Sequence, residues 1–179
     1  MGGSGKIVEC DDTWIGGQNR HGGKGSGAQN KAHVFAILER GGEVRSMKMG
    51  SVTASNVKQA LRDHVDAETR VMTDSASVFE WPGKEFASHE KVDHSAGEYA
   101  RGDVSTNGVE GFFGLLKRGV HGTFHHVSRK YLSFYLAEFN FRWNHRRMCD
   151  GDRTTAAIQR LRGKRLMLRK PVGQRQVSR

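Results

Sequence analysis

The chain opens with an alternation of apolar and polar positions. In KIVECDDTW, Val8 and Cys10 alternate with Ile7 and Glu9 before two aspartates arrive, a period of two that predicts a β-strand. HVFAILERGGEVRSMKMG joins two further strand-like runs across a two-residue Gly41-Gly42 turn, which is a hairpin signal. In TASNVKQALRDHV the period changes. Val57, Leu61 and Val65 recur every fourth residue behind Thr53, predicting a helix with that threonine as its cap. TRVMTDS predicts a short strand ending at Asp74. A short segment from Val78 to Trp81 is expected to stop at Pro82, and ASHEKVDHS holds another short strand.

The second half is helical. In DVSTNGVEGFFGLLKRGVHGTFHH, Ser105 or Thr106 caps a helix whose apolar stripe is Val109, Phe112, Phe113 and Leu116. Asn107, Glu110, Gly114 and Lys117 fall three, four and three apart, so they share a second face beside the apolar one. SRKYLSFYLAEFNFRWNHRRM predicts a long helix capped by Ser128, with Leu132, Leu136, Phe139 and Trp143 as its buried seam. Three antiparallel strands, a helix, a strand reached by crossover, and further helices predict an α/β fold: a mixed sheet with helices packed on it.

Composition adds three points. The segment GGQNRHGGKGSGAQNK has six glycines in sixteen residues, so it is a loop or hairpin tip. It is not a phosphate loop, because Gly25 follows Lys24 where Ser or Thr is required. The two cysteines, Cys10 and Cys149, form no C-x-x-C pair, and the longest apolar run is VFAIL. These fit a reduced cytoplasmic protein with no membrane span. The net charge of +10 is uneven: Arg153 to Arg179 hold nine Lys or Arg and no acid, leaving 20 basic and 19 acidic residues before them. A near-neutral body of residues 1–150 with a basic tail, 151–179, points to a polyanionic partner, above all nucleic acid.

Three acids stand out by position: Asp11 near the end of the first strand, Asp74 at the end of the fourth, and Glu110 early on a later helix. Strand ends and helix starts at one sheet edge are where sites assemble. Three carboxylates there repel one another unless a cation sits among them, and hard oxygen donors suit Mg²⁺ or Mn²⁺. Two such ions can clamp the attacking and leaving oxygens of a phosphodiester displacement. Period-two alternation leaves open whether Asp11 or Asp12 points inward, because a central strand is covered on both faces. His121 and His125 have the i, i+4 spacing of a zinc pair and His126 follows. However, Gly119 and Gly122 disfavour a regular helix there, and no nearby Cys completes a set.

Asp11 and Asp74 have 62 residues between them, and Asp74 and Glu110 have 35. With Lys117 seven residues after Glu110, this arrangement resembles the DDE transposases and retroviral integrases. VECDDTWIGG, VMTDS, STNGVEGFFGLLKRGVHGTFHHVSRKYL and LAEFNFRWNHR resemble, in order from about Ile7 to Arg147, the ISXO-like branch of bacterial insertion-sequence transposases. Asp12 stands where that branch usually has Glu.

The resemblance implies an RNase H-like mixed β-sheet with flanking helices, and two Mg²⁺ or Mn²⁺ ions for DNA cleavage and strand transfer. It assigns Asp11, Asp74 and Glu110 as catalytic metal ligands, with Asn107 of the T-N pair as the alternative third ligand. Lys117, Arg118, Arg142, Arg146 and Arg147 are its expected DNA contacts. DNA is the implied partner, with a homo-oligomer to cut two ends together and nucleoid association in a bacterial cytoplasm. Members of that branch commonly carry an upstream zinc-ribbon or helix-turn-helix region, so a separate DNA-end-recognition domain or subunit is expected. A nuclease that cuts without joining, and an inactive DNA-binding remnant, are the alternatives.

Overall fold

The computed structural model describes residues 1–16 and 31–163. Residues 17–30 of the glycine-rich segment and 164–179 of the basic tail lie outside the described residues. The chain divides into two compact units, Met1–Asn144 and His145–Arg179.

The first unit is built on a five-stranded sheet. Strand β1 (Ile7–Ile15) lies at its centre, β2 (Ala32–Glu39) and β3 (Val44–Met49) on one side, β4 (Arg70–Asp74) and β5 (Ser88–Val92) on the other, in the order β3-β2-β1-β4-β5. β1, β2 and β3 are antiparallel, whereas β4 and β5 run parallel to β1. This is the expected mixed RNase H-like sheet.

The VFAIL run is explained by β2 being covered on both faces. Val34, Ala36 and Leu38 pack with Val109, Phe112 and Leu116 of helix α3 (Asn107–Arg118) and with Leu132, Leu136 and Phe139 of α4 (Leu132–Asn144). Phe35 and Ile37 point the other way, toward Val57 and Leu61 of α1 (Ala54–His64). Thr53 does cap α1, its hydroxyl accepting the Asn56 N–H at 3.3 Å. α1 makes the crossover between antiparallel β3 and parallel β4.

Several local expectations need correction. The first hairpin closes on three residues, not two: the Glu39 N–H donates to Glu43 O, and a turn from Glu39 to Gly42 places Gly41 at φ 75°, which glycine adopts without strain. The helical segment near Trp81 passes through Pro82 to end at Gly83 (α2, Glu80–Gly83), because proline in a first turn lacks only an N–H the helix does not use. Ser128 does not cap α4. Its hydroxyl is buried without a hydrogen-bond partner among the described residues, and the helix begins only at Leu132. In the second unit, helix α5 spans Asp150–Leu161. A two-stranded ribbon, β6 (Ala100–Arg101) with β7 (Val104–Ser105), leads into α3. Among the described residues no helix is long and apolar enough to cross a membrane.

β3 is an edge strand, and α4 covers part of that edge with side-chain amides. Asn140 Oδ1 accepts from the Ser46 N–H (3.2 Å) and hydroxyl (2.7 Å), and its Nδ2 donates to Ser46 O at 3.2 Å. Asn144 repeats the pattern on Val44, accepting its N–H at 2.8 Å and donating to its carbonyl at 3.1 Å. Each amide thus stands in for the next strand of a ladder. Asn140→Ala leaves the donors and acceptor of Ser46 to be satisfied elsewhere, and is expected to cost about 1–3 kcal/mol, measured as a lower urea midpoint with unchanged m-value.

Candidate active site

Alternation along β1 sends Glu9, Asp11 and Ile15 toward α3 and α4, and Val8, Cys10 and Asp12 toward α1. That answers the open question about the pair: Asp11 is on the α3 face. Asp12 is on the other face, where its Oδ2 lies 3.4 Å from His33 Nε2. Because Cys10 is opposite Thr73 in the parallel pair of β1 and β4, Asp74 falls beside Asp11 on the same face. The Asp74 carboxylate accepts the Ala76 N–H at 3.0 Å, which fixes the turn that ends β4.

The third acid arrives on α3. Glu110 is in the first turn, where the helix dipole favours a negative charge. Its Oε1 accepts the Thr106 hydroxyl at 2.8 Å and lies 3.1 Å from His94 Nε2, which is itself 3.2 Å from Thr106 Oγ1. Thr106 is therefore not the side-chain cap that the sequence suggests. Its hydroxyl is spent on orienting Glu110.

The helix start is instead held by a residue that sequence analysis did not single out. Glu9 is 2% exposed, and its Oε2 accepts the Val109 N–H at 3.0 Å, one of the orphan donors of the first turn. Its Oε1 accepts Arg40 Nε at 2.9 Å and lies 2.8 Å from Nη2. The same guanidinium donates to Asp103 O (2.7 Å) and Ser105 O (3.1 Å). The approach is close: a Cβ on Gly108 would lie 2.7 Å from Glu9 Oε2. The available signal in the sequence was an acid inside an otherwise apolar strand, facing a helix that begins with glycine at its second position.

Asp11 and Asp12 sense the acids around them. Burial pushes the Asp11 carboxyl up to about 7, the Asp12 N–H bonded to it opposes this, and the charges of Asp74, Asp12 and Glu110 push it further up. Asp12 is also raised, by burial first, with His33 opposing and Asp74 adding. Among the described residues no three His, Cys, Asp or Glu side chains are close enough to hold a metal ion. Asp11, Asp74 and Glu110 are gathered on one face and coupled electrostatically without converging on ligand distance. In chemistry the set still fits a hard divalent cation: all its donors are carboxylate oxygens, and their mutual repulsion is what a cation would relieve. Asn107 is exposed at the first position of α3, and an amide adds no charge to that field.

The remaining candidates are dispersed. Lys117 is exposed, two turns along α3 from Glu110. Arg118 and Arg142 line one cleft of about 260 Å³ together with Phe124 and Phe139, and Arg142 is paired with Glu138 at 2.7 Å. Arg146 and Arg147 belong to the second unit. His121 lies in a π-helical turn, Gly119–Phe124, and is exposed, as are His125 and His126.

The profile of the ISXO2-like transposase domain matches residues 3–144, which takes in the whole sheet, α3 and α4. The chain belongs to this family of insertion-sequence transposases of the DDE superfamily. No curated protein matches the chain. The matched span and the first compact unit both end at Asn144.

With a folded-state value near 7 against an ordinary 3.8, Asp11 keeps its proton in the folded, metal-free protein where the unfolded chain has lost it. Its contribution to stability is therefore complete below about pH 4, falls as pH rises toward 7, and is flat above. Urea titrations from pH 4 to 8 are expected to show this slope in the wild type and a shallower one in Asp11→Asn.

Proposed function

We propose that the chain is the catalytic domain of an insertion-sequence transposase that uses Asp11, Asp74 and Glu110 to hold Mg²⁺ or Mn²⁺, two ions in the full site. The observation that carries this reading is the register that sets Asp74 beside Asp11 on the face covered by α3, whose first turn bears Glu110, in a chain of the ISXO2-like family. Held by these carboxylates, the ions would supply an activated nucleophile and charge neutralisation at the phosphate.

The chain's own groups do the rest. Asp11 and Asp74 hold donors side by side on adjacent parallel strands, which keeps their spacing rigid. Thr106 and His94 orient the Glu110 carboxylate from one side, leaving its other oxygen free to turn toward Asp11 and Asp74. We assign Glu110 rather than Asn107 as the third ligand, because an anionic oxygen holds a hard cation better than an amide oxygen. In the cleavage step a water oxygen attacks the phosphorus at the element's end, the P–O3′ bond breaks, and a free 3′-OH and a 5′-phosphate remain. In the joining step that 3′-OH attacks a phosphorus of the target strand and displaces the target's own 3′ oxygen.

Lys117 and Arg118 at the far end of α3, with Arg142 across the cleft, are suited to phosphates flanking the reacting one. Arg146 and Arg147 extend the basic character into the second unit. Action on two ends together calls for a homo-oligomer, and choice among ends for a DNA-reading domain or subunit.

Nicking and joining of a labelled terminal-repeat duplex in Mg²⁺ tests the reading. Asp74→Ala is expected to lose at least about a hundredfold in nicking rate, and Glu110→Gln to lose far more than Asn107→Ala. Equal nicking by wild type and Asp74→Ala would leave an inactive DNA-binding remnant, whereas nicking with no joined product would leave a nuclease. In binding titrations across salt, Lys117→Ala is expected to lower the slope of log K against log salt by about one without changing sequence preference.

A further inference from the structure

We infer that Glu9 is a positioning residue that sets the separation of Asp11 and Glu110, an inference that rests on the metal-binding reading above. Glu9 and Asp11 are two residues apart on one face of β1, about 6.8 Å along the strand. Val109 and Glu110 are neighbours in the first turn of α3. The bond from Val109 N–H to Glu9 Oε2 therefore links directly the strand that carries one acid and the helix that carries the other.

The link is rigid at both ends. On the strand side the carboxylate is buried and gripped by Arg40 through Nε and Nη2. On the helix side the same guanidinium bonds the carbonyls of Asp103 and Ser105, the residues that lead into α3. One ion pair thus fixes both the helix start and the segment feeding it. Gly108 allows contact at this depth: a Cβ there would meet both Glu9 Oε2 at 2.7 Å and Leu38 Cδ2 at 3.1 Å. An ordinary buried acid would need one partner to be tolerated. This one spends both oxygens on the geometry of the site.

The length of the side chain is the variable to test. Glu9→Asp retains the charge but withdraws the carboxylate by about 1.5 Å, one C–C bond. Either α3 follows it, which changes the Asp11–Glu110 spacing, or the contact stretches, which leaves that spacing no longer fixed. A misplacement near 1 Å costs roughly a hundredfold in a preorganised site. Mn²⁺ titration followed by electron paramagnetic resonance on the full chain, without DNA, is expected to show about tenfold weaker Mn²⁺ binding for Glu9→Asp at a temperature where circular dichroism shows it fully folded. Glu9→Gln keeps the length and an acceptor for Val109 but gives up the ion pair with Arg40, and is expected to retain more Mn²⁺ affinity than Glu9→Asp at a temperature where circular dichroism shows both folded. Should Glu9→Asp fail to fold, Gly108→Ala alters the same distance from the helix side and is expected to weaken Mn²⁺ binding likewise.

Wild-type Mn²⁺ affinity in folded Glu9→Asp, or in Gly108→Ala where that variant replaces it, overturns the inference. So does an equal loss in Glu9→Gln, which would make charge rather than spacing the cause. Asp74→Ala separates the two levels: if it loses Mn²⁺ while Glu9→Asp does not, only the positioning role falls. If Asp74→Ala binds as wild type does, the metal reading and this inference fall together.

Discussion

The ion pair between Glu9 and Arg40 is the contact on which the arrangement of this transposase domain depends. A carboxylate at 2% exposure is costly to bury, and breaking a buried pair by removing one partner costs several kcal/mol. Here the pair is satisfied on every side: Val109 N–H on one oxygen, Arg40 on the other, and the carbonyls of Asp103 and Ser105 on the remaining guanidinium hydrogens. None of these partners is local. The bond to Val109 spans 100 positions and the pair with Arg40 spans 31. They tie the central strand, the first hairpin and the start of α3 into one piece, and that piece carries two of the three acids.

The second theme is charge held in an unfavourable arrangement. Asp11 is raised because it is buried and because Asp74, Asp12 and Glu110 surround it. Nothing in folding alone rewards gathering these groups. A protein selected only for stability would spread them out or pair them with arginines, as it does with Arg70 between Glu90 and Asp103. At functional sites this kind of local cost is tolerated because the rest of the core offsets it. The sheet does so here, with β2 sandwiched between helices on both faces and Phe35, Ile37, Leu61 and Leu116 wholly or almost wholly buried.

Much of this was legible in the chain. Alternation and helical period located β1, β2, β3, α1, β4 and α3, and the hydrophobic stripe Val109, Phe112, Phe113, Leu116 is the buried face of α3. Local signals failed where tertiary contacts decided the outcome. Thr106 looked like a cap, but Glu9 supplies that bond from another strand. Ser128 looked like the start of α4, but the turn at residues 129–131 delays the helix. The choice between Asp11 and Asp12 could not come from alternation in a strand covered on both faces. It came from the register against β4 and from the helix packed above. Glu9 escaped notice because its burial depends on partners 31 and 100 residues away, and no short-range pattern encodes those.

The amides of Asn140 and Asn144 carry a consequence for assembly. They occupy the outward N–H and C=O groups of Ser46 and Val44, the groups that a neighbouring chain would need in order to lengthen the sheet past β3. A second copy, or a stray extended peptide, would have to evict two side chains anchored in a helix before it could pair there. Strand addition is thus blocked at Val44 and Ser46, and a copy that meets this part of the border must do so through side-chain surfaces, whose shape and charge can be specific where a bare backbone edge would accept almost any strand.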